Sequence, residues 1–201
     1  MALANSRTRY GSVAMTLHWL IALAIIFNIC LGLYLPDLGS PQLDNDPNMF
    51  ELVQLHKSVG LTVLVLSLLR LAWRLVNPIP PLPETMSPLL KFVAHVSHFL
   101  LYVLMIGIPL SGWAYVSASP LGLPTMWFHL FQWPHIPFLA DLSRMQKKSI
   151  DPQLFAVHSF LAISAIVLVA IHVLGALYHQ FLRRDDILKR MLPGTTVSKV
   201  S

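Results

Sequence analysis

Between Leu154 and Leu182 the chain runs without one charged side chain. About 20 largely apolar residues suffice for a helix to cross a bilayer, so this stretch reads as a membrane span. It carries two histidines fourteen residues apart, His158 and His172. On an α-helix that spacing is about 1400° of rotation, within about 40° of four full turns, and about 21 Å of rise. Both imidazoles therefore face one side, one near each surface of the membrane. Ring nitrogens in hydrocarbon need partners, which makes intramembrane histidines functional candidates by default.

The rest of the chain fits the same solvent. Over 201 residues it is 55% hydrophobic and only 11% charged, with mean hydropathy +0.64, whereas soluble domains run about 25% charged. The spacing of apolar stretches predicts spans at 13–35, 52–76, 92–116 and 154–182, and so an all-α, integral membrane four-helix bundle. One domain, 1–201, ends in a cytoplasmic tail, 183–201. The second span is interrupted by Lys57 and Arg70, but Leu, Val and Trp73 continue past both. Pro109, beside Gly107 and Gly112, predicts a kink in the third. Arg7 and Arg9 precede an apolar run too long for a signal-peptide core, which reads as a retained anchor.

Cys30 is the only cysteine, which excludes an internal disulfide, a zinc ribbon and cysteine-ligated clusters. The net charge of +5 comes with no basic helix or aromatic platform for nucleic acid. Its distribution fixes topology instead. Ten of the fourteen Lys and Arg (Arg7, Arg9, Arg70, Arg74, Lys91, Arg183, Arg184, Lys189, Arg190, Lys199) fall on the side of the termini and the 77–91 loop. By the positive-inside rule that side is cytoplasmic. The other side holds Lys57, Arg144, Lys147 and Lys148, against Asp37, Asp44, Asp46, Glu51, Asp141 and Asp151. Its long loop, 117–153, carries Trp127, Phe128, Phe131 and Trp133, aromatics that favour the membrane interface. His129 and His135 in that loop read as solvated.

Depth then follows from chain direction. His56 and His158 share the outer level, His18 and His172 the inner. Two histidines on different helices at each level suit a planar macrocycle held between them. Iron in a porphyrin takes two axial protein ligands, histidine among them, whereas zinc asks for three or four, often cysteine or carboxylate. No Cys-x-x-Cys-His motif is present for covalent attachment. The economical reading is two b-type haems stacked across the bilayer.

Neighbouring residues bear on that reading. Gly32 lies fourteen residues after His18 and Gly60 one turn after His56; both admit a porphyrin edge, and both equally suit close helix packing. Arg70 lies fourteen after His56, placed for a haem propionate or for snorkelling to the interface with Arg74. His95 and His98, at the inner end of the third span, suit propionate contacts or a quinone pocket. His179, one heptad past His172, is a candidate proton donor to quinone.

Several ordered stretches carry a resemblance. They are Arg9-Tyr10 with Leu17-His18-Trp19-Leu20; Leu55-His56-Lys57-Ser58-Val59-Gly60 running to Arg70 and Arg74; Ala94-His95-Val96-Ser97-His98 with Tyr102; and His158 through His172 and His179 to Asp185-Asp186, Leu188 and Arg190-Met191-Leu192-Pro193. With these, nearly the whole chain resembles the prokaryotic cytochrome b561 family of di-haem membrane cytochromes. The resemblance implies axial ligation by His18, His56, His158 and His172, and multi-pass residence in a bacterial inner membrane. It also implies superoxide:ubiquinone oxidoreductase activity, with electrons passing from periplasmic superoxide to ubiquinone. Lys57, next to His56, is then the candidate for receiving the anion. The alternative is an electron-transfer subunit between the quinone pool and a dehydrogenase, hydrogenase or periplasmic cytochrome. No oligomeric state follows from the sequence.

Overall fold

The computed structural model describes residues 2–36 and 46–195; Asp37, Asp44 and Lys199 of the charge pattern lie outside them. Four long helices dominate: α1 Ser12–Tyr34, α2 Pro47–Val76, α3 Pro88–Ser117 and, after a short loop domain, a fourth at Arg144–Tyr178. That loop contains β1 Thr125–Trp127, β2 Phe131–Trp133 and a single-turn helix α4 Pro137–Ala140, so the fourth long helix is α5. The chain is mostly helical, as expected of a membrane helical bundle.

Local chemistry sets the helix ends. Asp46 caps α2, its carboxylate accepting from the Asn48 N–H at 2.9 Å, with Pro47 at the first helical position where its missing N–H costs nothing. The α5 start is a capping box: the Ser143 N–H donates to Gln146 Oε1 at 2.9 Å and the Gln146 N–H returns to Ser143 Oγ at 3.4 Å. At the other end of α2, Asn77 Nδ2 donates to the Trp73 carbonyl at 3.0 Å just before Pro78 stops the helix. All four helices are long and apolar enough to cross a membrane, yet only 6–22% of their most hydropathic windows is buried within the protein. Leu23, Phe27, Leu33, Phe160, Ile163 and Leu174 lie on the outside. Such surface is stable against lipid and not against water.

Contacts divide the chain into two compact units. The terminal unit comprises Met1–Ala22, Leu66–Val103 and Ala165–Ser201. In it the segment after α5 is latched down: Arg9 donates to the Leu192 carbonyl at 2.6 Å and to that of Thr195. Trp19 Nε1 reaches the Met191 carbonyl at 2.8 Å, and buried Arg190 donates to the Pro81 carbonyl. Arg9, Trp19 and Arg190 thus serve as fasteners.

The second unit, Leu23–Val65 with Leu104–Ser164, holds the β-hairpin. Thr125 pairs with Trp133 and Trp127 with Phe131 in antiparallel register. The turn places Phe128 and His129 at φ 45° and 58° and closes with the Leu130 N–H on the Trp127 carbonyl at 2.9 Å. Two consecutive positive φ values make a mirror-image hairpin turn, normally built from Asn and Gly. Here α2 holds it in place. Ser58 Oγ donates to the Met126 carbonyl at 2.9 Å and accepts from the Phe128 N–H at 3.0 Å. Gln54 brackets Met126 N–H and the Pro124 carbonyl at 3.0 and 2.9 Å, and Trp127 Nε1 donates to Thr62 at 3.1 Å.

Candidate functional site

In the hairpin unit, α2 presents His56 to His158 of α5 with ring centres 6.2 Å apart and planes at 89°. Each ring lies against a glycine of a neighbouring helix. A Cβ on Gly32 of α1 would come within 2.9 Å of His56 Cε1, and one on Gly112 of α3 within 3.0 Å of His158 Cε1. The carbonyl four residues before each glycine becomes accessible as a result. His158 Nδ1 donates to the Ile108 carbonyl at 3.2 Å and to Ser111 Oγ at 3.0 Å, while Ser111 Oγ spends its own proton on the Ile108 carbonyl at 2.8 Å. His56 Nδ1 is enclosed against the Asn28 backbone without a fully formed hydrogen bond. A proton fixed on Nδ1 of His158 leaves Nε2 with its lone pair, the tautomer a metal needs.

The terminal unit repeats the motif. His18 of α1 and His172 of α5 also stand 6.2 Å apart, planes at 70°. His98 of α3 flanks His172 at 5.4 Å and donates from Nδ1 to the Ala94 carbonyl at 2.6 Å; His95 does the same to Lys91 at 2.6 Å. Arg70 bridges two partners, donating to His18 Nδ1 at 2.8 Å and to Tyr102 Oη at 3.3 Å, with Arg74 over the same tyrosine ring.

These dimensions test the porphyrin reading. Metal–imidazole bonds of about 2.0–2.1 Å, with ring centres about 1.1 Å behind each nitrogen, place two trans imidazoles about 6.3 Å apart, centre to centre. Both pairs match; His98–His172, almost an ångström shorter, does not. No three of His, Cys, Asp and Glu converge on a metal position among the described residues, so paired imidazoles are what the chain offers. Arg70 is the one misfit. An imidazole bound to a metal through Nε2 carries its proton on Nδ1, so Arg70 could not then donate to His18 and would need another acceptor.

The remaining candidates are placed as follows. Gly60 faces Asn28 Nδ2 at 3.4 Å from a would-be Cβ, a helix-to-helix approach. Lys57 Nζ donates to the Pro124 carbonyl at 2.9 Å, at the root of the hairpin. His179 Nδ1 pairs with Asp185 at 2.6 Å. His129 meets Glu51 at 2.9 Å on the surface. His135, by contrast, is not simply solvated: its Nε2 is enclosed and unpartnered. Burial first, then the nearby charges of Lys57 and Lys147, push its pKa below the usual histidine value. Sequence reasoning missed Gly112, although it lies fourteen residues after His98 just as Gly32 lies fourteen after His18.

Four apolar helices carrying two facing histidine pairs fit a membrane cytochrome of the b type. Residues 9–194 match the family model of prokaryotic cytochrome b561, and the chain belongs to that family. It is 34% identical to cytochrome b561 homolog 2 of Escherichia coli K12 over 96% of this chain and 95% of that one. It is 26% identical to a probable superoxide oxidase CybB of Yersinia pestis over 92% and 96%, and 29% identical to a cytochrome b562 of Cereibacter sphaeroides over 91% and 94%. The family makes it a membrane electron-transfer protein that binds b-type haem.

Proposed function

We propose that the chain holds two b haems, one between His56 and His158 and one between His18 and His172, and that it oxidises superoxide while reducing ubiquinone. The carrying observation is the shared ring-centre separation of 6.2 Å. Haem held by these four histidines would supply one-electron ferric–ferrous exchange. Gly32 and Gly112 let the outer imidazoles seat against the helix backbones, while Ile108 and Ser111 fix the His158 tautomer. Arg70, released from His18, would be the cation to hold a propionate. His98 stands beside His172 as a propionate contact.

Placement in a bacterial inner membrane with cytoplasmic termini is supported by the Lys and Arg asymmetry. The hairpin unit then faces the periplasm. There Lys57 is anchored beside His56, and its charge and that of Lys147 converge on His135. A local cationic group of this kind draws a small anion such as superoxide, even on a side whose acidic residues outnumber its basic ones.

Haem content of alanine variants tests the ligand assignment: His56 or His158 removes one haem, His18 or His172 the other, and two retained haems in any variant refute it. Stopped-flow mixing of the oxidised protein with superoxide tests the donor. Fast haem reduction that slows with added salt and in Lys57→Ala is expected; slow reduction indifferent to ionic strength refutes it.

A further inference from the structure

The end of α5 closes through a left-handed cap built on an arginine, where glycine is the usual residue. Its last turn widens into a π turn at His179–Arg183, and Arg184 then adopts φ 55°, ψ 36°. That is the left-handed region, unfavourable for a residue with a Cβ. Strain of this kind persists only where the surroundings over-determine it, and π turns recur at functional sites. Here it folds Asp185 back onto His179. The Asp185 N–H donates to the His179 carbonyl at 3.2 Å, and His179 Nδ1 donates to Asp185 Oδ2 at 2.6 Å. Oδ1 of the same carboxylate accepts from the Ile187 N–H at 3.2 Å. Both side chains are largely buried, 14% and 21% exposed.

Beside this pair opens a cavity of about 320 Å³ lined by Gln180, Phe181, Arg184, Asp185 and Lys189, a size that suits a small ligand. Asp185 forms its wall and His179 stands behind. Gln180 Oε1 is enclosed without a partner, while Phe181 continues as exposed apolar surface. The groups facing the pair are Arg184, Lys189 with its Asp186 partner at 2.8 Å, and the Tyr178 ring, 5.5 Å from that of His179. Arg183 turns away to the Thr85 carbonyl. One aromatic wall, one amide and two cationic donors, with a carboxyl group among them, suit a flat ring bearing two carbonyl oxygens. They suit a phosphate poorly, because Asp185 would face it.

We propose that this cavity receives the quinone headgroup and that Asp185, charged through His179, protonates it; the proposal rests on the quinone-reducing reading above. Reduction converts two ring carbonyls to hydroxyls and takes two electrons, drawn one at a time from the reduced haem, and two protons. His179 Nδ1 passes its proton to the Asp185 carboxylate, which hands it on to a carbonyl oxygen; His179 takes a proton at Nε2 from water and returns to the Nδ1–H tautomer by exchange with solvent. A second cycle supplies the second proton. Arg184 and Lys189 orient the carbonyls.

The test uses holoprotein in detergent, pre-reduced with dithionite and mixed with a short-chain ubiquinone or with ferricyanide, which accepts electrons without protons. In Asp185→Asn, which keeps the shape and the acceptor for His179, quinone-driven haem reoxidation falls by about tenfold or more and loses its pH dependence. Ferricyanide reoxidation and the haem spectrum stay as in wild type. Asp185→Glu restores part of the pH dependence, which a purely structural role would not. Wild-type rate and pH profile in Asp185→Asn overturn the proposal while leaving quinone reduction intact. A wild-type protein that ferricyanide reoxidises and quinone does not overturns the quinone reading, and this inference with it.

Discussion

Gly112→Ala isolates the contact that seats His158. The added methyl would lie 3.0 Å from Cε1 and 3.3 Å from Nδ1 of the imidazole, against a comfortable carbon–carbon contact of about 3.5–4.0 Å. The ring has to retreat by about half an ångström to one ångström, because the obstacle is a β-carbon fixed to helix backbone. Overpacking of that order costs about 1–3 kcal/mol. The same retreat stretches the 3.2 Å bond from Nδ1 to the Ile108 carbonyl beyond useful length, a loss of about 0.5–1.5 kcal/mol. Together, about 2–4 kcal/mol weakens haem retention at the His56–His158 position by roughly 30- to 700-fold. Haem-to-protein ratio after extensive washing, read with a reductive titration, should show one haem component fading and the other unchanged. Gly107→Ala is the internal control: it lies on the same helix, and nothing stands within 4 Å of its would-be Cβ. A Gly112→Ala protein with both components at wild-type occupancy and potential would falsify the seating argument.

Two other perturbations bear on separate parts of the protein. Arg70→Ala should lower the midpoint potential of the His18–His172 haem, since a nearby positive charge favours ferrous over ferric iron. At an effective dielectric near 20 the interaction is about 1–2 kcal/mol, or about 40–90 mV, measurable by potentiometry; an unchanged potential counts against a propionate role. For His135, a folded pKa depressed below the ordinary value of about 6.5 means that the unfolded chain binds more protons in the window just beneath it. Its contribution to stability is therefore full above that value and lost as pH falls through it. Thermal unfolding between about pH 7 and 5 should decline less in His135→Asn than in wild type, and parallel curves would remove His135 as the cause.

What the sequence disclosed, and what it withheld, follows from the range over which each interaction acts. The four spans were readable because lipid imposes one criterion, a long apolar run, on every crossing helix. The same criterion missed the first ten residues of α5, Arg144–Gln153, which are polar and whose helical start is set by a local capping box. The hairpin at 125–133 gave no signal because its turn residues are Phe128 and His129, with neither Asn nor Gly; Ser58 and Gln54, some seventy residues earlier in the chain, make that turn tolerable. Histidine spacing within one helix was legible, and the depth argument paired the helices as the structure does. The facing of glycines was only half legible. A fourteen-residue offset relates His18 to Gly32, His56 to Arg70, His98 to Gly112 and His158 to His172, so each of the four helices offers one residue at each level. At the level of His56 and His158, glycines on the other two helices admit the rings. At the level of His18 and His172, those same two remaining positions are Arg70 and His98, polar groups suited to acidic substituents. Periodicity reveals that every helix contributes twice, but only packing shows which contributions face another imidazole and which leave room beside one.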